Sequence, residues 1–227
     1  MVLYIMAGTS LNPTSLSELP PEQDGSVAST PTPLQPLIQQ SSGKAVYVRW
    51  GRKTCPEDTT SSLVYEGIAS GSHHAHTGSG ANLLCLPMNP DWDQHSDGFQ
   101  TNSFIYGVEF EVSAFNPFSM ENAETLQDHD VPCAVCLAHR KSVATVVPAK
   151  TTCPSGWTKE YGGYIMSSHF QHHRSEYICV DNAPEVRQGG YTSQDGSLLY
   201  PTEGKCGTLP CSPYFSGREL TCSVCTI

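Results

Sequence analysis

Residues 54–86 read TCPEDTTSSLVYEGIASGSHHAHTGSGANLLCL, and residues 152–180 read TCPSGWTKEYGGYIMSSHFQHHRSEYICV. Both stretches open on Thr-Cys-Pro (Cys55, Cys153) and pass a Tyr and a Gly (Tyr65 and Gly67, Tyr161 and Gly163). Both then present His-x-x-His (His73 and His76, His169 and His172) and close on a Cys among apolar residues (Cys85, Cys179). A second shared mark follows each: Cys133-Ala-Val-Cys136 and Cys222-Ser-Val-Cys225. Matched marks in one order, with a slowly shrinking offset, read as a duplicated unit with insertions and deletions in its loops.

Working outward, Ala45–Trp50 alternates as a half-buried strand does, and Ser142–Val147 is its counterpart before the second Thr-Cys-Pro. Leu63–Ile68 matches Gly163–Met166, Ala81–Leu86 matches Tyr177–Val180, and Phe104–Val112 matches Leu198–Tyr200; each CxVC segment supplies the last strand of its half. Gly, Pro, Asn and Asp clusters separate these runs, and Met120–Asp128 is the best short helical candidate. Many short strands with regular turn signals predict an all-β fold, here a duplicated, disulfide-rich antiparallel domain with pseudo-two-fold symmetry. The expected organisation is an N-terminal arm and Pro/Ser/Thr-rich linker over 1–43, repeat one over 44–141 and repeat two over 142–227. The composition of residues 9–43 cannot bury enough apolar surface to offset its ordering entropy, so a flexible arm is expected.

Ten cysteines in 227 residues are an even and generous number. All but Cys206 and Cys211 recur at matching places, which favours disulfides and an oxidising compartment over zinc. The expected partition joins Cys55 and Cys85 to Cys133 and Cys136, and Cys153 and Cys179 to Cys222 and Cys225, in an order the sequence leaves open. Cys206 and Cys211, four residues of loop apart, are expected to bridge locally. Secretion is the matching localisation. Met1–Gly8 is apolar but short for a leader and lacks basic leading residues, so a secreted chain is expected to be incomplete or already processed at that end. The 22 acidic residues outnumber the 12 basic ones for a net charge of −10. That balance excludes a nucleic-acid or anionic-membrane footprint. No apolar run approaches the roughly 20 residues of a membrane span.

The segments YVRWGRKTCP, GSHHAHTGSGANLLCLP, PCAVC, CGTLPC and GRELTCSVC, with the second long stretch, resemble the C-terminal domain of the invertebrate short-chain collagen C4-like (spongin-type) family. The paired pattern is also distantly similar to the duplicated non-collagenous domain of type IV collagen. Collagenous members carry a Gly-x-y tract before this domain, whereas this chain has a Pro/Ser/Thr linker. The resemblance implies a secreted matrix or surface-associated protein and brings no catalytic residues with it.

Two groups of residues could carry chemistry. His73, His76, His169 and His172 have the spacing of zinc or copper ligands, and four such residues from two halves could meet at one ion. The competing reading makes them loop residues hydrogen-bonded to nearby backbone, with His74 and His173 as surface neighbours. Trp50, Trp92, Trp157, Tyr161 and Tyr164 lie in or beside Gly-rich loops and could stack on sugars, although core packing is the commoner fate of such side chains. No hydrolase elbow, zincin, dinucleotide or P-loop motif occurs in a fitting context, so no catalytic residue and no cofactor is expected. The expectation is a non-enzymatic extracellular protein whose duplicated domain mediates chain association into a homo-oligomer. A secreted lectin, metal-assisted or not, is the alternative, with glycans or matrix proteins as partners.

Overall fold

The structure, a computed structural model, describes residues 43–57, 59–118 and 126–227. The predicted arm, and most of the Met120–Asp128 helical candidate, lie outside these. The described chain is all-β, with ten strands: β1 Lys44–Trp50, β2 Ser61–Gly71, β3 Leu84–Pro87, β4 Tyr106–Phe110, β5 Pro132–His139, β6 Ala144–Pro148, β7 Thr158–Ser167, β8 Ile178–Asp181, β9 Ser197–Pro201 and β10 Thr221–Thr226. Seven of them close a barrel in the order β7-β8-β1-β5-β2-β4-β9, with β9 returning to β7. β10 and β6 extend the sheet from β7, and among the described residues β3 pairs only with β2.

The pairings within residues 44–139 and within 144–226 follow one plan. β5 lies between β1 and β2, and β2 goes on to pair β3 and β4. β10 lies between β6 and β7, and β7 goes on to pair β8 and β9. All these pairs are antiparallel. Both long strands carry an irregularity at the same step: Val64 is skipped opposite Val135 and Cys136, and Glu160 opposite Val224 and Cys225. Gly67 and Gly163 occupy the same tight approach, where a Cβ would overlap the carbonyl oxygen of Leu86 or of Val180. The two sets of strands join by two short parallel pairs, β4 with β9 and Trp50 with Val180.

Strand periodicity explains the CxVC segments. Successive side chains of a strand point to opposite faces, so cysteines three apart face opposite ways. In β5, Cys133 and Val135 enter the barrel core with Trp50, Phe110, Met166 and Leu199. Ala134, Cys136 and Ala138 enter a second core, where β1 and β5 pack against Tyr161, Ile165, Cys179, Cys222 and Val224. β5 is buried on both faces, which is why its sequence is a continuous apolar run instead of an alternation. Cys133 is therefore stapled on one face to Cys85, and Cys136 on the other to Cys55. Cys222 pairs with Cys179 and Cys225 with Cys153, and Cys206 with Cys211, so all ten cysteines are bridged. The expected partition holds, and the order left open is resolved. The zinc alternative for the CxVC pairs is removed, because every thiolate is spent.

Candidate functional site

β2 ends at Gly71 and β7 at Ser167, and each runs directly into one of the histidine turns. Gly71 lies opposite Tyr106 of β4, and Ser167 opposite Tyr200 of β9. Cross-strand neighbours share a face, so each tyrosine ring reaches the turn that follows its partner. The Tyr106 ring lies 5.0 Å from His73 and 5.6 Å from His76, and the Tyr200 ring 5.1 Å from His169 and 5.7 Å from His172. Each turn is closed by a backbone bond, from His76 N–H to the His73 carbonyl (3.1 Å) and from His172 N–H to the His169 carbonyl (2.9 Å).

The two turns meet. The ring of His74 stacks at 4.4 Å on His73 and lies 4.7 Å from His172, while the His173 N–H donates to the His74 carbonyl at 3.0 Å. With His76 at 4.4 Å from His73 and His169 at 5.1 Å from His172, five imidazoles form one continuous belt. His74, read from sequence as a surface neighbour, is the half-buried link between the turns, whereas His173 is exposed. The signal available was its place inside the first His-x-x-His, where the second turn has Phe170.

Hydrogen bonding assigns the ring nitrogens different tasks. A backbone N–H can only donate, so His73 Nδ1 accepts from Ala75 (3.1 Å), and His169 Nδ1 accepts from Gln171 (3.3 Å). In a neutral imidazole the other nitrogen then carries the proton. His73 and His169 thus cap their own turns, and ligation of a metal through Nε2 would need a tautomer that gives up the backbone bond. His74 is arranged the other way, because its Nδ1 faces the Asp195 carbonyl at 2.9 Å and must donate, which leaves Nε2 with a free lone pair. His172 Nδ1 is buried without a hydrogen-bond partner. The predicted ligands therefore lie as two pairs on one belt with His74 between them, and among the described residues no three of their ring nitrogens gather within 4.8 Å of one another as a metal group; the residue best arranged to offer a lone pair is His74.

Burial, and then the neighbouring rings of His74 and His76, holds the His73 pKa below its ordinary value; burial, and then His74 and His169, does the same for His172. These two rings therefore resist protonation. Burial, followed by the carboxylates of Glu111, Asp195 and Asp128, pushes the Tyr200 hydroxyl up to about 12.

The aromatic candidates separate. Trp50 is 8 % exposed in the barrel core, and Tyr161 is 6 % exposed with its hydroxyl 2.9 Å from the carbonyls of both Val48 and Cys179. Neither has a ring face for a sugar, because each fills the junction between the two sets of strands; for these two the sugar-stacking reading is corrected to core packing. Tyr164 is half-buried against Phe118, with ring centres 5.6 Å apart, and Trp157 is half-buried. Only Trp92 of the five is widely exposed, at 78 %.

A cleft of about 540 Å³ lies between the first Thr-Cys-Pro loop and β7. Its Arg49 already bonds the Asp181 carboxylate (2.8 Å) and the Thr54 carbonyl (2.9 Å), so this cation is neutralised within the fold. Among the described residues no helix is long and apolar enough to cross a membrane. No protein-family model and no solved structure matches the chain.

Proposed function

We propose that the protein is a secreted, non-enzymatic matrix or surface-associated module, built from two copies of one strand unit, whose copies associate through open strand edges. The carrying observation is an asymmetry in otherwise matching pairings. The end of β1 pairs with β8 at Trp50 and Val180, reinforced by Arg49–Asp181, by Arg52–Glu185 at 3.3 Å and by Glu185 N–H to the Gly51 carbonyl at 2.7 Å. The counterpart of that contact would join the end of β6 to β3, and no such pairing is made among the described residues.

Both counterpart edges are open and apolar. Val143 and Val146 on and before β6 are 48 % and 43 % exposed, and Leu84 of β3 is 44 % exposed. Neither β6 nor β3 contains a Lys, Arg, Asp or Glu; each is short and ends in a proline (Pro148, Pro87), and the uncharged edge before that proline is a template for pairing with another chain. A cleft of about 310 Å³ beside Pro148 and Ala149, walled by Tyr214 and Phe215, lies where β6 ends. The occupant that fits is a second copy offering its β3 edge, which repeats the internal β1–β8 contact between chains. Such a head-to-tail contact closes into a ring or continues as a filament, depending on its rotation. Five disulfides and the resemblance to short-chain collagen C4-like domains fit an extracellular assembly role.

Light scattering of the non-reduced protein is expected to give a defined oligomer at micromolar concentration. Val146→Lys and Leu84→Lys, both on exposed positions, should each return it to monomer while leaving thermal stability within about 0.5 kcal/mol of the parent. A parent that is strictly monomeric overturns the reading.

A lectin role has narrower support: Trp92, Phe99 and Phe170 are 78 %, 87 % and 86 % exposed, and Phe170 packs on His169 at the belt. Binding on a glycan array, lost in Trp92→Ala or Phe170→Ala, would favour it; absence of binding to any glycan removes it.

A further inference from the structure

We propose that Glu109, Glu111 and Asp195 form a calcium-binding site where β4 and β9 run side by side. The sequence places the first two acids. Val108, Phe110 and Val112 fill the barrel core, so Glu109 and Glu111 share the other face of the same strand path. In an edge strand that face would be solvated. Here β4 is paired with β9, Glu109 opposite Leu198, and on that face Glu109 is only 3 % and Leu198 4 % exposed. Asp195 comes from the turn before β9, in a left-handed conformation (φ +52°) that Asp tolerates better than most residues.

One carboxylate oxygen from each of the three residues lies within 4.8 Å of the others. That envelope matches the span of one calcium ion, whose oxygen ligands sit at about 2.3–2.6 Å. Glu109 supplies an independent sign of a ligand. Its Oε1 accepts the Gln194 N–H at 3.0 Å, but its Oε2 is buried with no hydrogen-bond partner. A buried carboxylate oxygen left unsatisfied is costly, and a cation is the partner that removes the cost. Positive side chains do not serve: among the described residues none of the three carboxylates makes an ion pair, and the nearby Arg187 is engaged by Asp130 at 3.2 Å.

The supporting contacts resemble those that orient metal ligands. Gln127 donates to Glu111 Oε2 at 2.7 Å and to Asp128 Oδ1 at 2.7 Å, while its own Oε1 is fixed by the Val112 N–H at 2.7 Å. The Asp195 carbonyl accepts from His74 Nδ1, so the site touches the histidine belt through the backbone of one of its own ligands. Three hard oxygen donors select calcium over a soft or borderline metal, and the larger ion suits a set that joins a strand to a turn. This site is independent of the edge-pairing proposal, since none of its residues lies on β3 or β6.

The test is isothermal titration of the whole, non-reduced protein, dialysed against chelator and then chelator-free buffer, with calcium chloride, and in parallel with magnesium chloride. Calcium is expected to bind at one site with a Kd of about 10⁻⁴–10⁻³ M, the range of extracellular modules, with magnesium weaker, and to raise the Tm. Asp195→Asn, on an exposed turn, should weaken calcium at least about tenfold without lowering the calcium-free Tm, and Glu111→Gln should do the same. Glu109→Gln should abolish binding and, by removing a buried charge, should not lower the calcium-free Tm. Absence of both binding heat and Tm shift with calcium overturns the proposal. So does calcium binding that Asp195→Asn and Glu111→Gln leave unchanged. If Glu109→Gln does not fold, those two variants carry the test.

Discussion

The two long strands β2 and β7 share a plan and differ in what covers them. Residues 62–66 of β2, including Leu63, Val64 and Tyr65 at 48 %, 55 % and 37 % exposure, pair on one side with β5 and face solvent. The matching Glu160 and Tyr161 of β7 are 5 % and 6 % exposed, because β1 and β5 lie on them. The residue at the irregularity follows suit. Val64 points out, whereas Glu160 is buried and accepts from Tyr47 (3.0 Å), Ser61 (2.8 Å) and Thr226 (2.6 Å). A bulge re-aims one side chain, and the packing around it decides what that side chain must be. The same local geometry therefore carries a valine where it faces solvent and, where it is buried, a carboxylate that three hydroxyls satisfy.

The disulfides give the largest lever on this comparison. Cys55–Cys136 and Cys153–Cys225 close sequence separations of 81 and 72 residues, which on a chain-entropy estimate contribute about 4–5 kcal/mol each. Paired serine replacements are expected to cost nearly equal amounts in guanidinium unfolding. The unmatched Cys206–Cys211 bridge, with a separation of 5, should cost about 2 kcal/mol. A difference of more than about 2 kcal/mol between the two long bridges would show that these matching bridges do not play the same part.

Gly67→Ala and Gly163→Ala come next. Each added methyl overlaps a carbonyl oxygen of the neighbouring strand, backbone that cannot yield cheaply, so each should cost about 3 kcal/mol or more. One tolerated and one disruptive replacement would show that the two approaches are not the same. Glu160→Ala sharpens the contrast itself. It strands three hydroxyls that now share one carboxylate, for about 2–3 kcal/mol, while Val64→Ala should stay within about 0.5 kcal/mol.

The smallest effect is on pH. The folded pKa values of His73 and His172 lie below 6.5, so the unfolded chain takes up protons first as the pH falls. These two histidines therefore subtract stability as the pH drops from 6.5 towards those folded values, and are neutral in this respect above 6.5. Glu109 and Glu111 act in the opposite sense. Burial raises them above 4.5, so their contribution grows as the pH falls through their folded values. His74→Ala removes the ring that, after burial, lowers both histidines, and is expected to lessen the acid-side fall in Tm; an unchanged profile would leave burial as the cause and disconnect the two turns.

Much of this was legible from residue order. Periodicity marked the strands, matched marks divided the cysteines into their groups, and Cys206 and Cys211 were close enough to have no better partners. The histidine turns were visible as a repeated spacing. The order of the bridges was not, because it depends on which face of β5 meets which core, and two cores rather than one are a product of packing. Trp50 and Tyr161 sit beside glycines as binding aromatics do, yet they fill the join between the strand sets. Glu109 belongs to an ordinary alternation of apolar and acidic residues, and nothing local distinguishes it from Glu111.

The sequence by itself determined the all-β class, the strands and the partition of the cysteines, because a two-residue period is a local property of the chain and a repeated order of marks can be read along it. Tertiary structure alone decided that β9 returns to β7 to close the barrel, that His74 joins two turns about a hundred residues apart in order, and that a carboxylate on the outer face of β4 is buried. Those outcomes depend on which surfaces lie against each other once the strands exist, and burial is a property of the neighbour as much as of the residue.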